Sequence, residues 1–201
     1  MTTAPQQPTA MHPFRRALTL WGVLIALMWL LLITDWVVPA HLTQFGITPR
    51  SFEGLLGIGA APFLHAGAGH LASNMIPLAV LGTVAALRDW NGMWVALAAA
   101  VLLSGLGVWL FSPAHSVTVG ASGVVFGLFG YLLARGVFMR KIGDILIAVL
   151  LVCVYGSMIW GVFPSQPHIS WQAHLFGFLG GIAAAFLTAR HRRITAAGGL
   201  S

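Results

Sequence analysis

The chain has 201 residues, of which 58% are hydrophobic and 7% charged, with a mean hydropathy of +0.89. A soluble domain carries about a quarter charged residues, so the composition excludes a soluble globular protein and predicts an all-α polytopic membrane protein of one domain. The net charge of +6 does not signal nucleic acid, because the basic residues stand at the ends of apolar runs rather than in a patch.

A bilayer core takes about 20 apolar residues per helix. Residues 1–14 form a polar N-terminal tail before the first apolar run, 17–38. That run is longer than a signal-peptide core and ends without a small-x-small cleavage site, so it reads as an uncleaved helix. Residues 39–69 form a long outer loop, rich in Gly, Leu and Phe and carrying Arg50, Glu53 and Pro62. It is too apolar for a solvated tether and is expected to be partly helical and partly inserted in the outer leaflet. Further spans are predicted at 70–87, 92–111, 121–138, 143–162 and 170–189, with Pro77 as a kink in the second. Arg88-Asp89-Trp90-Asn91, Ser112-Pro113, Arg140-Lys141 and Pro164-Ser165-Gln166-Pro167 separate them. Cys153, the single cysteine, excludes an internal disulfide and a Cys-based metal cluster, and reads as a small packing residue in mid-helix. Beyond the domain at 15–190, residues 191–201 are expected to form a loose basic tail.

Six spans put both termini on one side. Arg15, Arg16, Arg88, Arg135, Arg140, Lys141, Arg190, Arg192 and Arg193 then share the N-terminal side, and only Arg50 falls on the other. Positive residues stay inside, which predicts cytoplasmic termini. One helix more or fewer would scatter the charges.

Spans 2, 4 and 6 therefore all start at the outer face. His70 opens span 2, Ser122 opens span 4 and His174 lies one turn into span 6. Gly123, Gly127 and Gly130 share one face of span 4; Gly177 and Gly181 are four apart on span 6. Such small-residue faces let transmembrane helices approach closely, which would set Ser122 beside His174. A serine needs an adjacent base to become a nucleophile, and histidine is the usual one. Gly120 and Gly123 flank the serine and allow a tight turn into the helix. His70 and Asn74, at i and i+4, share one helical face. With the free N–H of Ser122 at a helix start, they supply three donors for a developing oxyanion.

No carboxylate completes a triad. Asp89 and Asp144 belong to the cytoplasmic side, and Asp35 and Glu53 to span 1 and its loop. The sequence favours a Ser/His dyad whose imidazole is oriented by packing, with Phe126, one turn after Ser122, as the stacking ring. Taken singly, Ser122 is a packing residue and Asn74 an interhelical hydrogen bond; an intramembrane histidine such as His174 points to function. His65 reads as a supporting residue. His115 and His168 read as solvated in outer loops, and the tryptophans as an interfacial belt.

These residues resemble the rhomboid family of intramembrane serine proteases, in its bacterial six-span type. Gly-Ala-Ser-Gly at 120–123 resembles the family's nucleophile motif, Ala173-His174-Leu175-Phe176-Gly177-Phe178-Leu179-Gly180-Gly181 its AHxxGxxxG motif, and His70-x-x-x-Asn74 its oxyanion pair. The resemblance covers about residues 15–190. It implies a six-helix rhomboid-like bundle with Ser122 as nucleophile, His174 as base, and His70, Asn74 and the Ser122 N–H as oxyanion hole. It also implies substrates that are transmembrane segments of other proteins, cut near their outer ends with small residues at the scissile bond, and lateral access past span 5. Two departures stand out. The Trp-Arg pair frequent in the family's first outer loop is replaced by Arg50-Ser51-Phe52-Glu53, and Phe126 stands where many members have Tyr.

The expected protein is a multi-pass serine endopeptidase of a bacterial plasma membrane, with its active site on the extracytoplasmic side. It needs no cofactor and no metal: HExxH is absent, and no acidic residue accompanies the histidines at ligand spacing. Its partners are the bilayer and membrane-protein substrates, with no nucleic acid. The alternative is a catalytically silent relative that binds client transmembrane helices. A solute channel with a histidine path is disfavoured, because it would need polar residues through the inner halves of spans 3, 4 and 6.

Overall fold

The computed structural model describes residues 12–38, 41–164 and 169–198. Most of the predicted tail at 1–14, His168 with much of the turn before it, and residues 199–201 lie outside them. The described residues form seven α-helices with no strand: α1 (Pro13–Val37), α2 (Phe52–Ala60), α3 (Ala68–Arg88), α4 (Trp90–Phe111), α5 (Ser122–Met139), α6 (Ile142–Tyr155) and α7 (Trp171–Gly198). Six are long and apolar enough to cross a membrane, α6 together with the 3-10 stretch Gly156–Val162 that prolongs it.

The bundle is built around α5. Thirteen of its 18 residues are buried, from Gly123 to Gly136. Its partner on one side is α7, and glycine decides how near the two come. A Cβ on Gly177 would strike the Gly123 carbonyl, and one on Gly181 would strike the Gly127 carbonyl and the Tyr131 N. Backbone touches backbone here, as the glycine spacing of the two spans predicts. In turn α7 lies against α4, where a Cβ on Gly180 would be 2.7 Å from the Ala99 carbonyl oxygen. Trp21 of α1 fills the gap left by Gly82 of α3, and the Trp29 Nε1–H donates to Met75 Sδ at 2.9 Å. The α3 helix runs through Pro77 without ending.

The outside of the bundle is apolar. Val23, Leu30, Leu146 and Leu150 are each 60% or more exposed, the inverse of a water-soluble surface. On α6 only Asp144 and Leu151, seven residues apart, are buried. That narrow stripe explains why Cys153 is exposed rather than a packing residue: it lies two positions beyond Leu151, off the contact line.

The long loop at 42–67 is partly helical, as expected, and is pinned to the bundle. Ile47 and Thr118 exchange backbone hydrogen bonds at 2.9 and 3.0 Å. Arg50 donates from Nη1 to the carbonyls of Leu110 at 3.1 Å and Ser112 at 2.9 Å. Those carbonyls end α4 without helical partners, and a cation suits that negative pole. The Trp109 Nε1–H donates to the Ser51 carbonyl at 2.8 Å. Without the Trp-Arg pair, the loop is held by Arg50 and Trp109.

Two further expectations are corrected. Residues 191–198 are not loose: α7 continues to Gly198, where Arg192 contacts Asp89 at 2.7 Å. Arg135 is not a helix-end charge at the interface. It is 2% exposed and pairs with Asp89 at 3.1 Å and Asp144 at 3.3 Å, while its Nη1 also donates to the Tyr131 hydroxyl at 3.1 Å. Arg88 closes on Asp144 at 3.0 Å. The end of the bundle opposite Ser122 is thus a network joining α3, α4, α5, α6 and α7.

Candidate active site

Ser122 is the first residue of α5, so its N–H has no intrahelical acceptor. The turn before it depends on Gly120, whose φ of +120° lies where side chains are strained. Space matters as much there: a Cβ on Gly120 would lie 2.6 Å from Cε1 and 2.7 Å from Nε2 of His70. The His70 ring therefore rests against the turn that leads into Ser122. The Gly120 N–H donates to the Ala61 carbonyl at 2.8 Å, and the Ala121 N–H to His65 Nε2 at 3.4 Å. Two anchors from the long loop fix the approach to Ser122.

His65 supports this turn, in keeping with the sequence reading. It meets His70 edge-on, with ring centroids 5.1 Å apart. Burial, reinforced by the neighbouring His70, lowers its pKa from 6.5 to about 4. The ring stays neutral at ordinary pH, and only a neutral ring can accept the Ala121 N–H.

Asn74 is buried one turn below His70 and donates from Nδ2 to the His70 carbonyl at 2.9 Å. That contact uses one amide hydrogen and leaves the second for another acceptor.

His174 enters from α7, whose first turn is steadied by the Ser170 hydroxyl accepting the Ala173 N–H at 3.3 Å. Its ring is stacked on Phe126, with centroids 4.1 Å apart and planes 6° from parallel. Nδ1 lies 2.9 Å from the Gly161 carbonyl oxygen. A carbonyl only accepts, so Nδ1 carries the hydrogen and a neutral ring presents Nε2 as its basic nitrogen. Here a backbone carbonyl stands where a triad would have a carboxylate. No residue type signals it in advance, since it is a main-chain oxygen. Gly161 is nevertheless the residue that fits: a Cβ there would sit 2.9 Å from Phe126 and 3.1 Å from His174 Nδ1.

The backbones that carry Ser122 and His174 meet at the neighbouring residues. The position a Cβ would take on Gly123 is 3.3 Å from the Ala173 carbonyl oxygen, and Gly177 abuts the Gly123 carbonyl. The residue after the serine thus touches the residue before the histidine. Among the described contacts, no hydrogen bond joins the Ser122 and His174 side chains.

A Rhomboid domain model matches residues 53–191. An uncharacterized protein of Mycobacterium tuberculosis is 36% identical over 204 residues, covering 96% of this chain and 85% of the relative. Rhomboid-like protein 11, chloroplastic, of Arabidopsis thaliana is 32% identical over 148 residues, 65% of this chain and 51% of its own. Rhomboid protease GluP of Bacillus subtilis is 32% identical over 128 residues, 61% of this chain and 24% of its own. With six apolar helices packed through glycine, and with a match over most of its length, this multi-pass membrane protein belongs to the rhomboid family.

Proposed function

We propose that the chain is an intramembrane serine endopeptidase that cleaves transmembrane segments of other membrane proteins through a Ser122/His174 dyad. One observation carries this reading: His174 is stacked on Phe126 and held at Nδ1 by the Gly161 carbonyl, on a helix whose backbone touches that of the serine helix. An imidazole fixed this way has its basic nitrogen left for a neighbouring hydroxyl.

The chemistry follows from these groups. The Ser122 Oγ attacks a substrate peptide carbonyl as its proton passes to His174 Nε2. The tetrahedral oxyanion is received by the Ser122 N–H, His70 and the spare amide hydrogen of Asn74. His174 then protonates the leaving amine, and water resolves the acyl-enzyme with the same histidine as base. Phe126 and Gly161 position the imidazole; Gly120, Gly123, Gly177 and Gly181 set the backbone spacing. In this reading the domain spans residues 15–190, both termini are cytoplasmic as the charge bias implies, and the site faces the extracytoplasmic side of a bacterial plasma membrane. Phe126 keeps the stacking face that a tyrosine would offer.

The test is reconstitution in liposomes with a model substrate carrying one transmembrane segment. Wild type should yield two fragments with the cut near the segment's extracytoplasmic end, and Ser122→Ala and His174→Ala should yield none. A folded wild type that binds the substrate and leaves it intact would overturn the protease reading in favour of a silent binder of client helices.

A further inference from the structure

At the end of the bundle opposite Ser122, the carboxylates Asp89 and Asp144 are engaged by Arg88, Arg135 and Arg192. Arg190 and Arg193, on the last turns of α7, have no carboxylate partner among the described residues. Beside them lies a cavity of about 280 Å³ lined by Phe138, Phe186, Ala189, Arg190 and Arg193. The two aromatic rings form its wall, edge to face at 5.7 Å. Arg193 is steadied over it by donating from Nη2 to the Phe138 carbonyl at 2.8 Å.

We infer that this cavity binds the phosphate headgroup of an anionic glycerophospholipid. Two guanidiniums without counter-charge call for an anion, and Arg suits phosphate oxygens. The aromatic wall calls for apolar matter on the same ligand. Phe186 and Leu187 are half exposed and Val137 67% exposed, so the wall runs into the lipid-facing surface. The depth also fits. From Trp171, about 20 helical residues span a hydrocarbon core, which places Arg190 at the headgroup level. Basic pockets between transmembrane helices at that level take anionic headgroups. A free phosphate shares the anion chemistry and has no use for the aromatic wall. The inference depends on the chain being embedded in a bilayer and is independent of the proteolytic reading.

Native mass spectrometry of the detergent-purified protein with phosphatidylglycerol or phosphatidylcholine tests it. Wild type should retain phosphatidylglycerol about thirtyfold better, the scale of two Arg contacts at a membrane surface. Arg190→Gln/Arg193→Gln should lose that preference, and Arg15→Gln/Arg16→Gln, which removes the same charge elsewhere, should keep it. Wild-type retention by the first double variant would overturn the site, and displacement of the lipid by millimolar inorganic phosphate would reassign it to free phosphate. Photo-crosslinking of wild type with diazirine-bearing phosphatidylglycerol needs no variant. Crosslinks concentrated at Phe138 and residues 186–193 support the site; an even spread over the bundle overturns it.

Discussion

The two ends of this bundle are held by opposite means. At the Arg135 end, five helices are joined by side-chain charges, with both carboxylates and three of the guanidiniums engaged. At the Ser122 end the described contacts contain no ion pair. There the backbone holds the side chains: the Gly161 carbonyl on His174, the Ala61 carbonyl on the Gly120 turn, and glycine contacts between α5 and α7. A charge beside the serine and histidine would bias their protonation, whereas carbonyls and aromatic faces orient an imidazole with less field. The ion pairs stand thirteen residues along α5 from Ser122, about 20 Å at 1.5 Å per residue, where they fasten helices.

Substitutions at the two ends should therefore separate activity from stability. Ser122→Ala is expected to lower cleavage by at least about 10³-fold with an unchanged thermal midpoint; a substantial residual rate would mean that another group is the nucleophile. Asp144→Ala should do the reverse. It withdraws the carboxylate shared by Arg88 and Arg135, and breaking such a buried pair costs about 3–5 kcal/mol. Asp89 still faces Arg135, so the lower part of that range is expected, read as a lower midpoint with an unchanged rate per folded molecule. A lost rate at full stability would show that the two ends are coupled.

Asn74→Ala should reduce kcat by about 10²–10³-fold, the scale of one oxyanion donor, with KM little changed. A rise in KM alone would assign Asn74 to substrate binding. His65 makes a pH-dependent contribution. Its pKa falls from 6.5 to about 4 on folding, so between those values the unfolded chain takes up a proton that the folded chain does not. Stability is then unaffected above about pH 6.5 and declines as the pH falls toward 4, by about 2–3 kcal/mol in total. Thermal unfolding between pH 7 and pH 4 measures it, and His65→Asn should flatten the decline. An unchanged slope in that variant would assign the decline to other groups. The smallest effect belongs to Phe126→Leu. Loss of the ring stack, worth about 0.5–1.5 kcal/mol, should cost roughly 2- to 10-fold in kcat, and Phe126→Tyr should restore it.

Much of this was legible in the sequence. Span boundaries came within a few residues, because apolar length is dictated by bilayer thickness, except at the end of α7, which runs to Gly198 rather than stopping at 189. The approach of α5 to α7 was legible because glycine at a four-residue spacing has one plain use in a membrane. The Phe126–His174 stack followed from helical periodicity. Other features were hidden for identifiable reasons. The Gly161 carbonyl is main chain. The burial of Arg135 depends on Asp89, 46 residues away at the α3–α4 junction, and on Asp144, which only the fold-back of α6 brings to it. The helix through 191–198 draws on the Arg192–Asp89 contact, which composition does not reveal. Cys153 turns outward because α6 touches the bundle along one narrow stripe.

The dyad itself is tested most directly by mapping a fluorophosphonate adduct on the folded, detergent-purified protein by peptide mass spectrometry. A single adduct on Ser122 is expected, absent from Ser122→Ala and from His174→Ala although both variants fold. An adduct on another serine, or a folded wild type that takes up no label, would contradict it.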